Sequence, residues 1–244
     1  MANALEEMIG ISTTPQNGVA HPTTLQVDAS VSSNDGDDSQ ASVIAANMRR
    51  YFLNPWEMIK DQVIWTHDEV DLLNPIKQFP DEPWLEHIAY RWMDERLFAM
   101  FKSRRMKITW LMVFLHMWLG CFNEGAAIYF VSDKEEKSDE LVRRAAFIYN
   151  HIPDDVMLKP KAKLSFCYLE WPGLNSFIMG VPQGADQLRQ YGATAIYSDE
   201  FAFWEKARET YMACQPTIDG GGRATFTSSP KDGFFKDLCF DLIR

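Results

Sequence analysis

Asp199 and Glu200 stand side by side directly after the apolar run Ala193-Thr-Ala-Ile-Tyr-Ser. Two carboxylates so placed suit hydrolysis of a phosphoanhydride: one enters the shell of a divalent cation and the other positions or deprotonates the attacking water. The doublet alone does not decide, because the positive end of any helix dipole attracts acids at the same place. A second unusual segment, Lys102-Ser103-Arg104-Arg105-Met106-Lys107-Ile108-Thr109, opens a strongly apolar run. Phosphate binding needs backbone N–H groups at a helix N-terminus, a cation for the charge, and a hydroxyl for Mg2+. On the frame GxxxxGK(S/T), Thr109 takes the hydroxyl position. Ile108 then falls on the lysine, Lys107 on the second glycine and Lys102 on the first. By itself this loop also reads as a solvated basic turn before a core helix. A third segment, Thr225-Phe-Thr-Ser228-Ser229-Pro230, is a strand leading into a hydroxyl-rich turn stopped by proline, a pattern shared with ordinary Ser-Pro turns.

The elements that must hold these residues follow from hydrophobic periodicity. Leu97–Phe101, Gly125–Val131, Ala193–Tyr197 and Arg223–Thr227 are short buried runs that read as strands. Leu164–Leu169 and Ser176–Gly180 read as a hairpin or two shorter strands around Pro172-Gly173. Helices are expected at Thr109–Phe122, along Leu141, Ala145, Ile148 and Ile152, and at Phe203–Met212. Ser132–Glu135 carries the spacing of a capping box, and Pro153 ends the helix that follows it. Strands alternating with helices imply an α/β fold, a mainly parallel sheet with helices on both faces. Such sheets bind ligands at the carboxyl ends of their strands, where all three unusual segments lie.

Composition bounds the rest. The chain has 244 residues, 46% hydrophobic and 24% charged, enough for one large domain. Its net charge is −10, of which Glu6, Glu7, Asp28, Asp35, Asp37 and Asp38 supply −6 within residues 1–48, which hold no Lys or Arg. The overall field therefore does not attract nucleic acid, and any such contact must use local basic patches. Residues 1–45 are poor in apolar residues and are expected to form a disordered acidic tail. Residues 46–244 form the folded domain, with a helical lead-in over 51–95 punctuated by Pro55, Pro75, Pro80 and Pro83. Cys121, Cys167, Cys214 and Cys239 are too widely spaced for a zinc site or a disulfide framework. The run Ile108–Phe122 is too short to span a bilayer, so no membrane is expected. His87 and His116 sit in helical apolar patterns and read as packing residues. Arg49-Arg50 and Arg143-Arg144 read as solvated surface charges.

Taken in order and spacing, these segments resemble the large terminase subunits of tailed bacteriophages. KSRRMKITWL is similar to that family's K-x-R-Q-x-G-(I/L)-(S/T)-W loops, in which an earlier basic residue serves in place of the usual lysine. SDKEEKSDELVRRAAFIYNHIP resembles the segment after the family's second strand. Leu188–Trp204 (LRQYGATAIYSDEFAFW) and TFTSSPKDGFF match most closely. The resemblance covers about residues 51–244. It departs at Lys107, which replaces a loop glycine, and in lacking a clear adenine-reading glutamine.

What the resemblance implies is specific. The fold would be a P-loop NTPase of the additional-strand, helicase- or RecA-like type. The chain would be an ATP-hydrolysing motor that drives double-stranded DNA into a procapsid, working as a homo-oligomeric ring with a portal protein and a small terminase subunit in the host cytoplasm. Its cofactors would be ATP and Mg2+. The loop Lys102, Ser103, Arg104, Arg105, Met106, Lys107, Ile108 and Thr109 would cradle the phosphates, with Lys102 or Lys107 contacting the β/γ-phosphates. Thr109 and Asp199 would hold Mg2+, and Glu200 would be the catalytic carboxylate. Arg189 would complete a site in cis or in a neighbouring subunit. Gln78 would take the adenine-reading place, with Trp84 as a stacking partner, and Ser228 and Ser229 would form the coupling turn. The family's nuclease domain is not expected within these residues. Two other readings stay open: another nucleic-acid-dependent, helicase-like ATPase, and a degenerate nucleotide-binding assembly module without turnover.

Overall fold

A computed structural model describes residues 37–184 and 192–241. A seven-stranded sheet in the order β3-β9-β8-β4-β7-β6-β5 organises the chain. Its strands are β3 (Leu97–Phe101), β4 (Ala127–Ser132), β5 (Lys163–Ser165), β6 (Tyr168–Trp171), β7 (Ser176–Pro182), β8 (Ala195–Ser198) and β9 (Arg223–Ser228). Strands β3, β9, β8, β4 and β7 run parallel, and β6 and β5 extend the sheet as antiparallel hairpins. Strand β9 lies between the strand that enters the basic loop and the strand that ends in Asp199-Glu200. That inserted strand is the arrangement expected for the additional-strand class.

Both faces of the sheet are covered, and the period-2 geometry of a strand explains how. Ile128, Phe130, Ala195 and Tyr197 belong to one buried cluster. Tyr129, Val131, Ile196, Ala224 and Phe226, taken from alternating positions, belong to the other. The first face carries α1 (Asp37–Leu53), α2 (Trp56–Lys60), α3 (Pro83–Asp94), α4 (Ile108–Phe122) and α5 (Glu135–His151). The second carries α6 (Ala207–Asp219) and α7 (Phe234–Asp241). Helix α4 is buried almost all round because it is both laid on the sheet and covered by other helices. No helix among the described residues is long and apolar enough to cross a membrane.

Several local expectations are corrected. Helix α1 begins at Asp37, inside the stretch expected to be disordered; residues 1–36 lie outside the described residues. The lead-in is not purely helical, since β1 (Trp65–His67) and β2 (Ile76–Gln78) pair as an antiparallel hairpin. The capping box does not form: Ser132 ends β4, and Lys134 precedes α5 with no side-chain cap. Phe201–Phe203 is a single 3-10 turn and helix α6 starts only at Ala207, because Glu200 turns the chain sharply through φ 51°. His87 is exposed, whereas His116 is fully buried.

His116 gives the fold a measurable pH dependence. Its ring stacks on Tyr197 at 5.3 Å, and its Nδ1 lies 2.7 Å from the Met112 carbonyl, to which the neutral ring donates. Burial pushes its pKa down to about 3 from 6.5, with nearby Arg223 pushing the same way. The folded-state value is depressed, so this stability is complete above the unfolded pKa and is lost as pH falls toward the folded one. Below about pH 6.5 the loss should approach 1.4 kcal/mol per pH unit. In urea unfolding, the parent chain should therefore lose about 1 kcal/mol more than His116→Phe between pH 7.5 and 5.5. Equal losses in the two chains would exclude the imidazole as the origin.

Candidate active site

Strand register assembles the site. The parallel pairing of Phe101 with Ser228 carries on one step further, where the Lys102 N–H donates to the Ser228 carbonyl at 2.8 Å. In the next strand Ser198 pairs with Phe226, which sets Asp199 beside Thr227. The basic loop, the acidic doublet and the hydroxyl turn therefore meet at the carboxyl ends of β3, β8 and β9.

The basic loop turns back through Arg105 (φ 65°) and Lys107 (φ 56°) before α4 begins. Lys107 thus adopts the left-handed backbone that a glycine would take without strain. Glu200 also has positive φ. Together these make three of the six non-glycine residues in that region among those described, so backbone strain concentrates around one cleft. The first turn of α4 has no side-chain cap and no acidic residue, which leaves its N–H groups open to an anion. Ile108 is buried in the core at 2% exposure and supplies no charge.

At the centre lies the Lys102 ammonium. It donates to Thr109 Oγ1 at 3.0 Å and to Glu200 Oε1 at 2.8 Å, and it pairs with Asp199 Oδ1 at 2.9 Å. Thr109 in turn donates to Asp199 Oδ2 at 3.1 Å. Glu200 Oε2 accepts the Ser229 N–H at 3.0 Å, and Ser228 Oγ accepts the Ala202 N–H at 3.0 Å. Burial works against the charge of both Lys102 and Glu200, but their mutual attraction prevails. Lys102 is held above its usual value by Asp199 and Glu200, and Glu200 below its own by Lys102 and the Ser229 N–H. Both are therefore charged at neutral pH. Lys107 is lowered by burial and by the neighbouring charges of Lys77 and Arg144, partly offset by Asp68.

A cleft of about 700 Å³ opens over this cluster. The run Lys102–Trp110 lines it, together with Glu200 and Ser229, so Ser103, Arg104, Arg105 and Met106 all border it. His67–Val70 and Arg144 line it as well, and the sequence reading missed both. Arg144 is no solvated surface charge: its guanidinium lies 5.4 Å over the Trp110 ring and pairs with Glu140 and Glu69. Only the four-residue spacing from Glu140 to Arg144 hinted that this arginine is held in place.

Two expected residues lie elsewhere. Gln78 is outside the cleft lining, exposed in the β1–β2 hairpin, with its amide donating to the Gln62 carbonyl. Trp84 is 39% exposed and does not line the cleft either. Arg189 lies outside the described residues. The donor set fits Mg2+: a threonine hydroxyl and a carboxylate 3.1 Å apart are hard oxygen ligands, and a cationic ammonium already shares their position. No cluster of three or more His, Cys, Asp or Glu residues forms a metal cage among the described residues. Mg2+ bound mainly through water and phosphates needs only one or two protein oxygens.

No protein-family model and no curated protein matches the sequence. Solved structures do match. The large terminase of bacteriophage HK97 superposes with a TM-score of 0.57 at 10% identity over 76% of this chain and 40% of that one. The ATPase domain of the Thermus phage P74-26 large terminase gives 0.45 at 14% identity over 59% of this chain and 63% of that one. A variant of the same domain gives 0.49 at 14% identity, covering 66% and 70%. The chain thus spans under two thirds of the first Thermus phage domain and 40% of the HK97 chain. At such identities the likeness establishes the fold, that of a phage large terminase.

Proposed function

We propose that this chain, built on the fold of a phage large terminase, is the ATP-hydrolysing motor domain of a machine that drives double-stranded DNA into a viral procapsid. One observation carries the reading: Lys102, Thr109, Asp199, Glu200 and Ser229 converge from three strand ends into one cleft next to an uncapped helix N-terminus. In this reading the α4 N-terminus and Lys102 bind the β- and γ-phosphates, as helix N-termini and ammonium groups bind anions generally. Thr109 and Asp199 would hold Mg2+, whose charge would offset that developing on a transferred phosphoryl group. Glu200 orients the attacking water and accepts its proton. Ser228 and Ser229, joined to Glu200, report its state to β9. DNA, a portal protein, a small terminase subunit and a ring of further copies are the partners this reading proposes, with the host cytoplasm as its setting.

The purified chain should hydrolyse ATP in a Mg2+-dependent way, without displacing strands from a forked duplex. Strand displacement would move the assignment to a helicase. Tight MgATP binding with no turnover would favour the second reading, a nucleotide-gated assembly module. The engagement of Lys102 by Glu200 gives that alternative its specific support, since it ties up the carboxylate that the first reading uses on water.

A further inference from the structure

Asp199 is held by more than the cation-facing groups. Its Oδ1 accepts from the Glu200 N–H at 3.0 Å and from Thr227 Oγ1 at 2.8 Å, in addition to Lys102. Thr227 Oγ1 lies 3.1 Å from the Tyr197 hydroxyl. An ionised carboxylate only accepts, so the single Thr227 proton is spent on Asp199. Tyr197 must therefore donate to Thr227. The result is a directed chain, Tyr197 O–H to Thr227 O–H to Asp199, whose links polarise one another in a low-dielectric interior. Tyr197 and Thr227 are both fully buried. The tyrosine ring is fixed by stacking on His116 at 5.3 Å and by an edge contact with Phe130 at 5.7 Å. The hydroxyl of Thr227 and the Glu200 amide are the two donors to Asp199 Oδ1 that stay in place if Lys102 leaves for phosphate, while Thr109 faces Oδ2.

We propose that Tyr197 and Thr227 are positioning residues: a buried hydroxyl relay that clamps one oxygen of Asp199 and so leaves the other aimed, with Thr109, at a divalent cation. The inference rests on the reading of this cleft as a Mg2+-nucleotide site. Partners that orient a metal ligand are commonly worth ten- to a hundredfold in metal affinity.

The test uses Mn2+ as the probe, titrated by electron paramagnetic resonance into the chain saturated with a non-hydrolysable ATP analogue. Analogue binding in EDTA and thermal unfolding are measured in parallel. Thr227→Val, which keeps shape and deletes the hydroxyl, should weaken Mn2+ binding about tenfold or more. Metal-free analogue affinity should stay within about twofold, since that hydroxyl faces the carboxylate and not the phosphates. Thr227→Ser should restore Mn2+ affinity, and Tyr197→Phe should give a smaller loss in the same direction. Unchanged Mn2+ affinity in Thr227→Val, or an equal loss in EDTA, overturns the relay while leaving the nucleotide site standing. An unmutated chain that binds no analogue under any condition overturns the site assignment and the relay together.

Discussion

Replacing Glu200 with glutamine is expected to leave MgATP binding in place and to lower turnover by roughly a hundredfold or more, the usual loss when a general base is removed. Glutamine keeps the size of the side chain and can still meet the Ser229 N–H, but it cannot take a proton from water. The Ser229 N–H at 3.0 Å and the Lys102 ammonium at 2.8 Å keep the carboxyl ionised below its usual range, against the opposing effect of burial. Activity should accordingly persist into mildly acid solution, where an unassisted glutamate begins to protonate. Asp199→Ala should behave differently, weakening Mg2+-dependent binding because Asp199 faces Thr109, its proposed partner in holding the cation. Single-turnover hydrolysis, measured beside equilibrium binding of a fluorescent nucleotide, separates the two. Near-normal turnover in Glu200→Gln would remove this doublet from the chemistry.

The second large effect concerns the cation that the proposed function puts in place of a lysine at Ile108. Lys102→Ala should abolish hydrolysis, a loss of at least about a hundredfold, on the scale of removing one preorganised electrostatic donor. The ammonium of Lys102 touches Thr109, Asp199 and Glu200 at once, so it stands where the proposed function puts phosphate, cation and base. Its removal also leaves two adjacent carboxylates without their shared counter-charge. Lys107 faces another neighbourhood: its charge interacts with Asp68, Lys77, Arg144 and Glu69. Lys107→Ala should keep much of the activity. Lys107→Gly should keep as much or more, because a backbone at φ 56° suits glycine. Steady-state ATPase assays on the three variants decide. The reverse ranking would transfer the role to Lys107, and full activity in both single mutants would point to Arg104, Arg105 or a neighbouring subunit.

What the sequence determined by itself is what local periodicity and backbone chemistry encode. The runs read at 97–101, 193–197 and 223–227 fall on β3, β8 (Ala195–Ser198) and β9 because strands of a sheet covered on both faces need such runs, and the polar residues that break them mark the strand ends. That is why Asp199, Glu200, Ser228 and the loop from Lys102 were legible as residues of one sheet edge. Helix α4 was legible for the same reason, as an apolar stretch opened by a hydroxyl residue.

The tertiary structure alone decided what depends on partners far along the chain. Lys102 meets Glu200 across 98 residues, Trp92 donates to Thr225 across 133, and no spacing in the sequence records either pairing. The hairpin of β1 and β2 was invisible because three-residue strands carry no readable alternation. The capping box failed because β4 extends to Ser132 and takes the would-be cap into its ladder. Arg144 entered the cleft because α5 packs against α4 and so brings the guanidinium over Trp110. Thr227 looked like any strand threonine. Only the register of β8 against β9 sets its hydroxyl on Asp199, because in a parallel sheet the pairing between neighbouring strands is fixed by packing on both faces and not by any turn that joins them.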